Sequence, residues 1–209
     1  MARSPSFAGV ILAAGESARM GRDKALLPWH DTTFLGGAID LLNPYTEMVI
    51  VVAGKNAAAL EPLVYSKGAF LVVNPESERG QFSSLQVGLS EVLNRGRDAA
   101  IVALVDHPPA RLETVDRLRA AFVEAVNRDQ WAVIPEYGGK HGHPVALGRE
   151  IIEFFLKAPR TAIAREIEHA HQDRIQYLAV NDPLVVASVD TPEDYQRLIA
   201  GAAPSLGKS

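Results

Sequence analysis

Two rhythms of apolar and polar positions alternate along this chain. Short continuous apolar runs recur at residues 7–14, 48–53, 70–73, 99–105, 131–135, 145–147, 175–180 and 184–189. Runs of this length, rich in Val, Ile and Ala, are the pattern of strands buried on both faces. Between them the spacing changes to that of helices. Thr33 can cap a helix carrying Leu35, Ile39 and Leu42, which Asn43-Pro44 closes. Residues 56–64 read as a short helix, and Leu85, Leu89 and Val92 form the stripe of another. Val115, Leu118, Phe122 and Val126 mark one side of an amphipathic helix over 113–126. Residues 149–156 and 162–169 are helical, and a last helix starts at Pro192, a suitable first-turn residue. Strand, helix and strand in alternation predict an α/β fold with a parallel sheet and right-handed crossovers.

Length and composition narrow the picture. The 209 residues suit one α/β domain, with its core over 7–198 and a mobile tail over 200–209. A formal charge of −4 argues against non-specific nucleic-acid binding. The chain has no cysteine, so disulfides, thiolate metal sites and cysteine nucleophiles are excluded. No apolar run approaches the roughly 20 residues of a membrane helix, and nothing resembles a signal peptide. The expectation is a soluble cytoplasmic protein with no membrane partner.

The chemistry is concentrated at residues 10–27, Val-Ile-Leu-Ala-Ala-Gly-Glu-Ser-Ala-Arg-Met-Gly-Arg-Asp-Lys-Ala-Leu-Leu. An apolar strand stops at Gly15, frees its backbone N–H groups and delivers Arg19 and Lys24 beside them. Glycines admit a close anion, consecutive N–H groups cradle it, and the cations neutralise it: this is a phosphate site. The common phosphate loops do not fit. Five residues separate Gly15 from Gly21, where a Walker A loop needs four, and G-x-G-x-x-G is absent. The stretch does match L-A-A-G-x-S-x-R-M-G-x-x-K-x-L-L. It therefore resembles the nucleotidyltransferases that activate a small phosphorylated substrate with an NTP, above all the molybdenum-cofactor branch of cytidylyl and guanylyl transferases.

Other segments extend the resemblance to most of the chain. Asn74-Pro75 opens a stretch in which Gly80, Ser83 and Ser84 stand at a helix start, suited to nucleotide groups or to a serine cap. In the resembled family this segment lines the nucleotide pocket. Asp106 follows an apolar strand and precedes His107-Pro108-Pro109, at the end where open α/β sheets hold ligands. A carboxylate there can hold Mg²⁺ between protein and phosphates, and the family carries its metal-binding aspartate in the same setting. His107 reads as a packed or surface turn residue. His141 and His143 are two apart, a weak metal signal. The family's G-x-P-V segment places this loop at the acceptor side, where His143 can donate to an acceptor phosphate or serve structure alone. Residues 158–165 read Ala-Pro-Arg-Thr-Ala-Ile-Ala-Arg where the family often has G-D-x-G-A-R, a departure close to the expected acceptor. Asp190-Thr191-Pro192-Glu193-Asp194-Tyr195 ends the chain's last strand as the family does.

The resemblance implies one three-layer, Rossmann-like domain around a mixed sheet of about seven mostly parallel strands. It implies transfer of a nucleoside monophosphate from an NTP to a phosphorylated acceptor such as molybdopterin, with release of pyrophosphate. Leu12, Ala13, Ala14, Gly15, Ser17, Met20, Gly21, Asn74, Gly80, Ser83 and Ser84 would bind the nucleotide. Arg19 and Lys24 would bind it and stabilise charge on the α-phosphate and leaving group, Asp106 and Asp190 would hold Mg²⁺, and His143 would face the acceptor. Ala14, a glycine in the guanylyl relatives' L-A-G-G, favours CTP. A molybdoenzyme is an implied partner. A sugar- or polyol-phosphate nucleotidyltransferase is the alternative within the chemistry, and a non-catalytic cofactor-delivery module the alternative outside it.

Overall fold

The structure is a computed structural model and describes residues 5–201. The expected tail beyond Gly201 lies outside them. In chain order the elements are β1 (Phe7–Leu12), β2 (Pro28–Trp29), β3 (Thr32–Thr33), α1 (Phe34–Leu42), β4 (Met48–Ala53), α2 (Ala57–Ser66), β5 (Phe70–Val73), α3 (Gln81–Asn94), β6 (Ala99–Leu104) and α4 (Leu112–Val126). They continue with β7 (Ala132–Tyr137), β8 (Lys140–His141), β9 (Val145–Gly148), α5 (Arg149–Lys157), α6 (Ala164–Ala170), β10 (Ile175–Ala179) and α7 (Pro192–Ile199). Among the described residues no helix is long and apolar enough to cross a membrane.

The main sheet runs β10-β7-β9-β6-β1-β4-β5, with β8 paired to β7. Neighbours are parallel except β9, which is antiparallel to both β6 and β7, and the short β8. The expected mixed, mostly parallel sheet is present. β1 lies in its interior, between β6 and β4, and is buried along its whole length. Its side chains alternate between two apolar layers, as the period of a strand requires. Phe7 and Ile11 meet Leu35, Ile39, Leu60, Leu118 and Phe122 on one face; Val10 and Leu12 meet Leu85, Leu89, Ile152 and Phe155 on the other. Helices thus cover both faces in three layers. Gly88 lets α3 lie close to the sheet, since a Cβ there would come within 2.7 Å of Val10 Cγ1.

One expected strand is not formed. Residues 184–189 are apolar, but Pro183–Val186 is a 3-10 turn. Short apolar runs leave strand and turn undecided; here Pro183 opens the turn and Asp182 caps it, accepting from Leu184 N at 3.1 Å. α6 begins at Ala164, two residues later than the pattern suggested. An unexpected two-stranded hairpin, β2–β3, lies just after the glycine-rich segment.

Asp182 is 1% exposed and does more than cap that turn. Its second oxygen accepts from Arg111 N and Thr114 Oγ1, both at 2.8 Å, at the start of α4. This carboxylate ties the segment leading to Asp190 onto α4. Asp182→Ala leaves buried donors unpaired and should cost about 3 kcal/mol. A urea unfolding midpoint with unchanged slope measures it; a loss below about 1 kcal/mol would show that the network carries little.

Candidate active site

The parallel strands β1, β4 and β6 all end on the same edge of the sheet, so the loops after them meet there. The loop after β1 leaves the sheet at Ala13, whose N–H still donates to Val52 O at 2.8 Å. It turns twice through left-handed backbone, at Ser17 (φ 50°) and Gly21 (φ 71°). Ser17 holds the turn together: its carbonyl accepts from Met20 N at 2.9 Å and its Oγ from Lys24 N at 3.1 Å. The returning limb enters a short 3-10 turn at Lys24–Leu26, capped by Asp23 through Ala25 N.

That geometry aims Lys24 inward. Its side chain is 11% exposed and its Nζ donates to Asp190 Oδ1 at 2.8 Å. Arg19, 72% exposed, reaches the same oxygen at 3.1 Å. The Lys24 ammonium, foremost, holds the Asp190 carboxyl below the usual carboxylate range, against the opposing effect of its partial burial. Asp190 is set by the α7 capping box: Asp194 accepts from the backbone N–H of both Asp190 and Thr191. The bond from Val189 N to Asp106 O, 2.8 Å, brings this segment against the end of β6. Asp106 and Asp190, far apart in sequence, therefore line one cleft of about 320 Å³.

Both carboxylates are the donor type that a hard divalent cation takes. Mg²⁺ prefers oxygen donors and is commonly held by one or two carboxylates together with substrate phosphates and water. Among the described residues no group of three or more acidic or histidine side chains could form a complete protein cage. The donor set present, two aspartates beside two cations, suits a metal shared with phosphate.

Residues 9–175 match the family model of the MobA-like NTP transferase domain. This chain belongs to that family. It is 22% identical to the molybdenum cofactor cytidylyltransferase of Escherichia coli over 89% of this chain and 92% of that one. It is 28% identical to the molybdenum cofactor guanylyltransferase of Rhodobacter capsulatus over 91% and 94%. Among solved structures it resembles Rv0371C of Mycobacterium tuberculosis in complex with manganese, with a TM-score of 0.75, 26% identity and coverage of 94% and 100%. The chain is a nucleotidyltransferase of the MobA-like type.

Within this MobA-like domain the structure sorts the residues singled out from sequence. Leu12, Ala14, Gly15, Ser17, Arg19 and Lys24 line the cleft from the first loop, and Gly80 and Ser84 from the start of α3. Gly21 lines a second cavity of about 540 Å³ against the same loop. Four residues lie elsewhere. Ala13 is 1% exposed within the sheet. Met20 packs with Leu27, Phe34, Val189 and Tyr195, anchoring the loop rather than meeting the cleft. Asn74 is buried, and its Nδ2 donates to Ser83 Oγ at 2.9 Å and Ser84 Oγ at 3.0 Å while its Oδ1 accepts from Glu76 N. Ser83 spends its remaining capacity on Gly80 O at 2.8 Å. Asn74 and Ser83 thus shape the rim from behind, because a buried amide and hydroxyl bond each other before they bond a ligand.

His143 is not among the residues lining this cleft. Its ring packs edge-on against His107, with centroids 5.4 Å apart. Burial first, and the nearby His107 second, push its imidazole down to about 3, so it is neutral at physiological pH. His141 turns away and stacks on Tyr177 at 4.1 Å, which leaves no His-x-His metal pair. Sequence reading missed Ser77 and Gln81, which line the cleft near α3. It also missed Asp23 and Asn56, which line the second cavity. Gly54 explains why β4's end matters: a Cβ there would lie 2.7 Å from Ser77 Oγ and 2.9 Å from Ala14 O. Three chain segments meet at that point, and only the folded chain shows it.

Proposed function

We propose that this chain, acting as a single domain, transfers the cytidylyl group of CTP to the phosphate of molybdopterin or its molybdenum-loaded form, with Mg²⁺ and with release of pyrophosphate. The observation that carries this is the convergence of Lys24, Arg19, Asp106 and Asp190 on one cleft beside a glycine-bearing loop. An acceptor phosphate oxygen attacks the α-phosphorus, the bond from the α-phosphorus to the bridging oxygen breaks, and pyrophosphate leaves with the electron pair. No general base is needed, because a phosphate monoester with a second pKa of about 6 is largely dianionic at neutral pH. The chain's task is to position and neutralise. Backbone N–H groups near Gly15 hold the triphosphate, and Lys24 and Arg19 stabilise charge on the α-phosphate and leaving group. Asp106 and Asp190 would hold Mg²⁺, which would supply positive charge to neutralise the phosphates. The manganese complex of Rv0371C supports a divalent cation in this fold, and the E. coli cytidylyltransferase supports the acceptor class. A screen of pyrophosphate release, with NTPs against a panel of phosphorylated acceptors, tests the reading. Nucleotide binding without pyrophosphate release on any acceptor would favour a delivery module.

The base choice rests on Ala14, which lines the cleft and is 8% exposed. Its methyl group takes room that a glycine would leave for a purine edge. One methyl group in a tight pocket gives about a 10–200-fold preference, so CTP should exceed GTP in kcat/KM by that order. Comparing CTP, GTP and ATP with one acceptor at fixed Mg²⁺ measures it. A GTP value equal to or above that of CTP overturns the base assignment and leaves nucleotidyl transfer standing.

A further inference from the structure

The signature loop has a well-anchored start and a returning limb that ends in Lys24. The start is bound into the sheet through Ala13 N and Val52 O. The returning limb has no strand partner. Inside the loop it is held by Ser17 Oγ at Lys24 N. Outside the loop, Lys24 Nζ and Arg19 reach Asp190, Met20 packs on Phe34 and Tyr195, and Arg22 lies over Tyr195. Asp23, on the opposite side of the limb, is held by Asn56, which stands just after the end of β4.

Asn56 uses its whole amide. Its Nδ2 donates to Asp23 Oδ2 at 2.7 Å and to Ala13 O at 2.9 Å, while its Oδ1 accepts from Gly54 N at 3.0 Å. A single amide thus stitches together the end of β4, the end of β1 and the returning limb. Asp23 passes the restraint on: its other oxygen accepts from Ala25 N at 2.9 Å, so the carboxylate clasps the turn in which Lys24 sits. Asn56 and Asp23 line the second cavity and not the cleft that Lys24 enters. They stand behind the cation, where they fix its backbone without meeting the reacting phosphates.

We propose that Asn56 is a positioning residue for Lys24, acting through Asp23. The inference rests on the charge-stabilising role of Lys24 given above. Losing the tie loosens the turn at Asp23 and Lys24, while the N–H groups near Gly15 stay anchored through Ala13. Nucleotide binding should therefore change little and the transition state should lose more, since small misplacement of a stabilising group can cost about 10²-fold.

The test is a double-mutant cycle. Pyrophosphate release is measured with Mg²⁺, CTP and molybdopterin, or with the panel acceptor that turns over fastest. Asn56→Ala should lower kcat about 10–100-fold with KM for CTP within about threefold. In a Lys24→Ala background the same substitution should change kcat less than about twofold, because two residues acting through one group are not additive. Asp23→Ala reads the tie from its other end and should show the same coupling; it stands in if Asn56→Ala does not fold. An equal loss in both backgrounds, or wild-type kcat in folded Asn56→Ala, overturns the proposal and leaves the role of Lys24 intact. Near-native turnover in Lys24→Ala, or no pyrophosphate release by the wild type on any acceptor, overturns the parent reading and this inference with it.

Discussion

Lys24→Ala is expected to lower turnover about 10²–10³-fold, the usual effect of deleting one preorganised charge stabiliser. The structure sharpens the reason. Lys24 is not a free surface cation: its side chain is 11% exposed and its ammonium lies 2.8 Å from Asp190. A cation fixed at the wall of a narrow cleft needs little reorganisation when charge develops beside it. Arg19, at 72% exposed, is more solvated and should matter less. Folding should suffer little, because the partner Asp190 keeps 38% of its side chain exposed and such a pair contributes about 1 kcal/mol or less. The measurement is kcat at saturating CTP and acceptor, with a thermal melt as the control. A folded variant with near-native kcat would remove Lys24 from the machinery.

The second large effect is opposite in sign for two properties of one residue. Asp190 is the anion that Lys24 and Arg19 share. Its carboxylate takes the place that phosphate oxygens are proposed to take, and it is also one of the two proposed Mg²⁺ ligands. Asp190→Asn removes the competing charge, so CTP binding without metal should tighten about tenfold, or ~1.4 kcal/mol. Metal-dependent turnover should fall in the same variant, since a neutral amide is a poor ligand for a hard cation. Among the described residues Asp106 makes no such contact with Lys24; its ion-pair partner there is His107 Nε2 at 4.0 Å. Asp106→Asn should therefore lose Mg²⁺-dependent turnover about 10²-fold or more, more than Asp190→Asn loses, with no gain in metal-free affinity. Calorimetric titration of CTP with EDTA and then with Mg²⁺, beside turnover, separates the two residues. Wild-type turnover indifferent to chelator would sink the metal assignment for both, and unchanged metal-free affinity in Asp190→Asn would sink the competition.

What the sequence determined by itself was local. The buried run 48–53 fixed a strand to the residue, because a continuous β-branched and apolar stretch has few other ways to be buried; the run 70–73 also forms a strand, at the exposed edge of the sheet. Thr33 and Pro192 marked helix starts: Thr33 caps α1, and Pro192 stands in the first turn of α7. The first loop was legible because a phosphate site needs glycine, N–H groups and cations close together along one stretch. Tertiary structure decided what depends on residues far apart. It placed Asp190 on Lys24, 166 residues away. It turned Asn74 and Ser83 inward to bond each other, and His143 onto His107. It made Pro183–Val186 a 3-10 turn, since the buried Asp182 outweighs the β propensity of Leu, Val and Val there. It also gave Asn56, an unremarked residue at a helix start, three partners from three segments. A side chain's type and local pattern specify what it can bond; only the packing of the strands on one another specifies which group stands within reach.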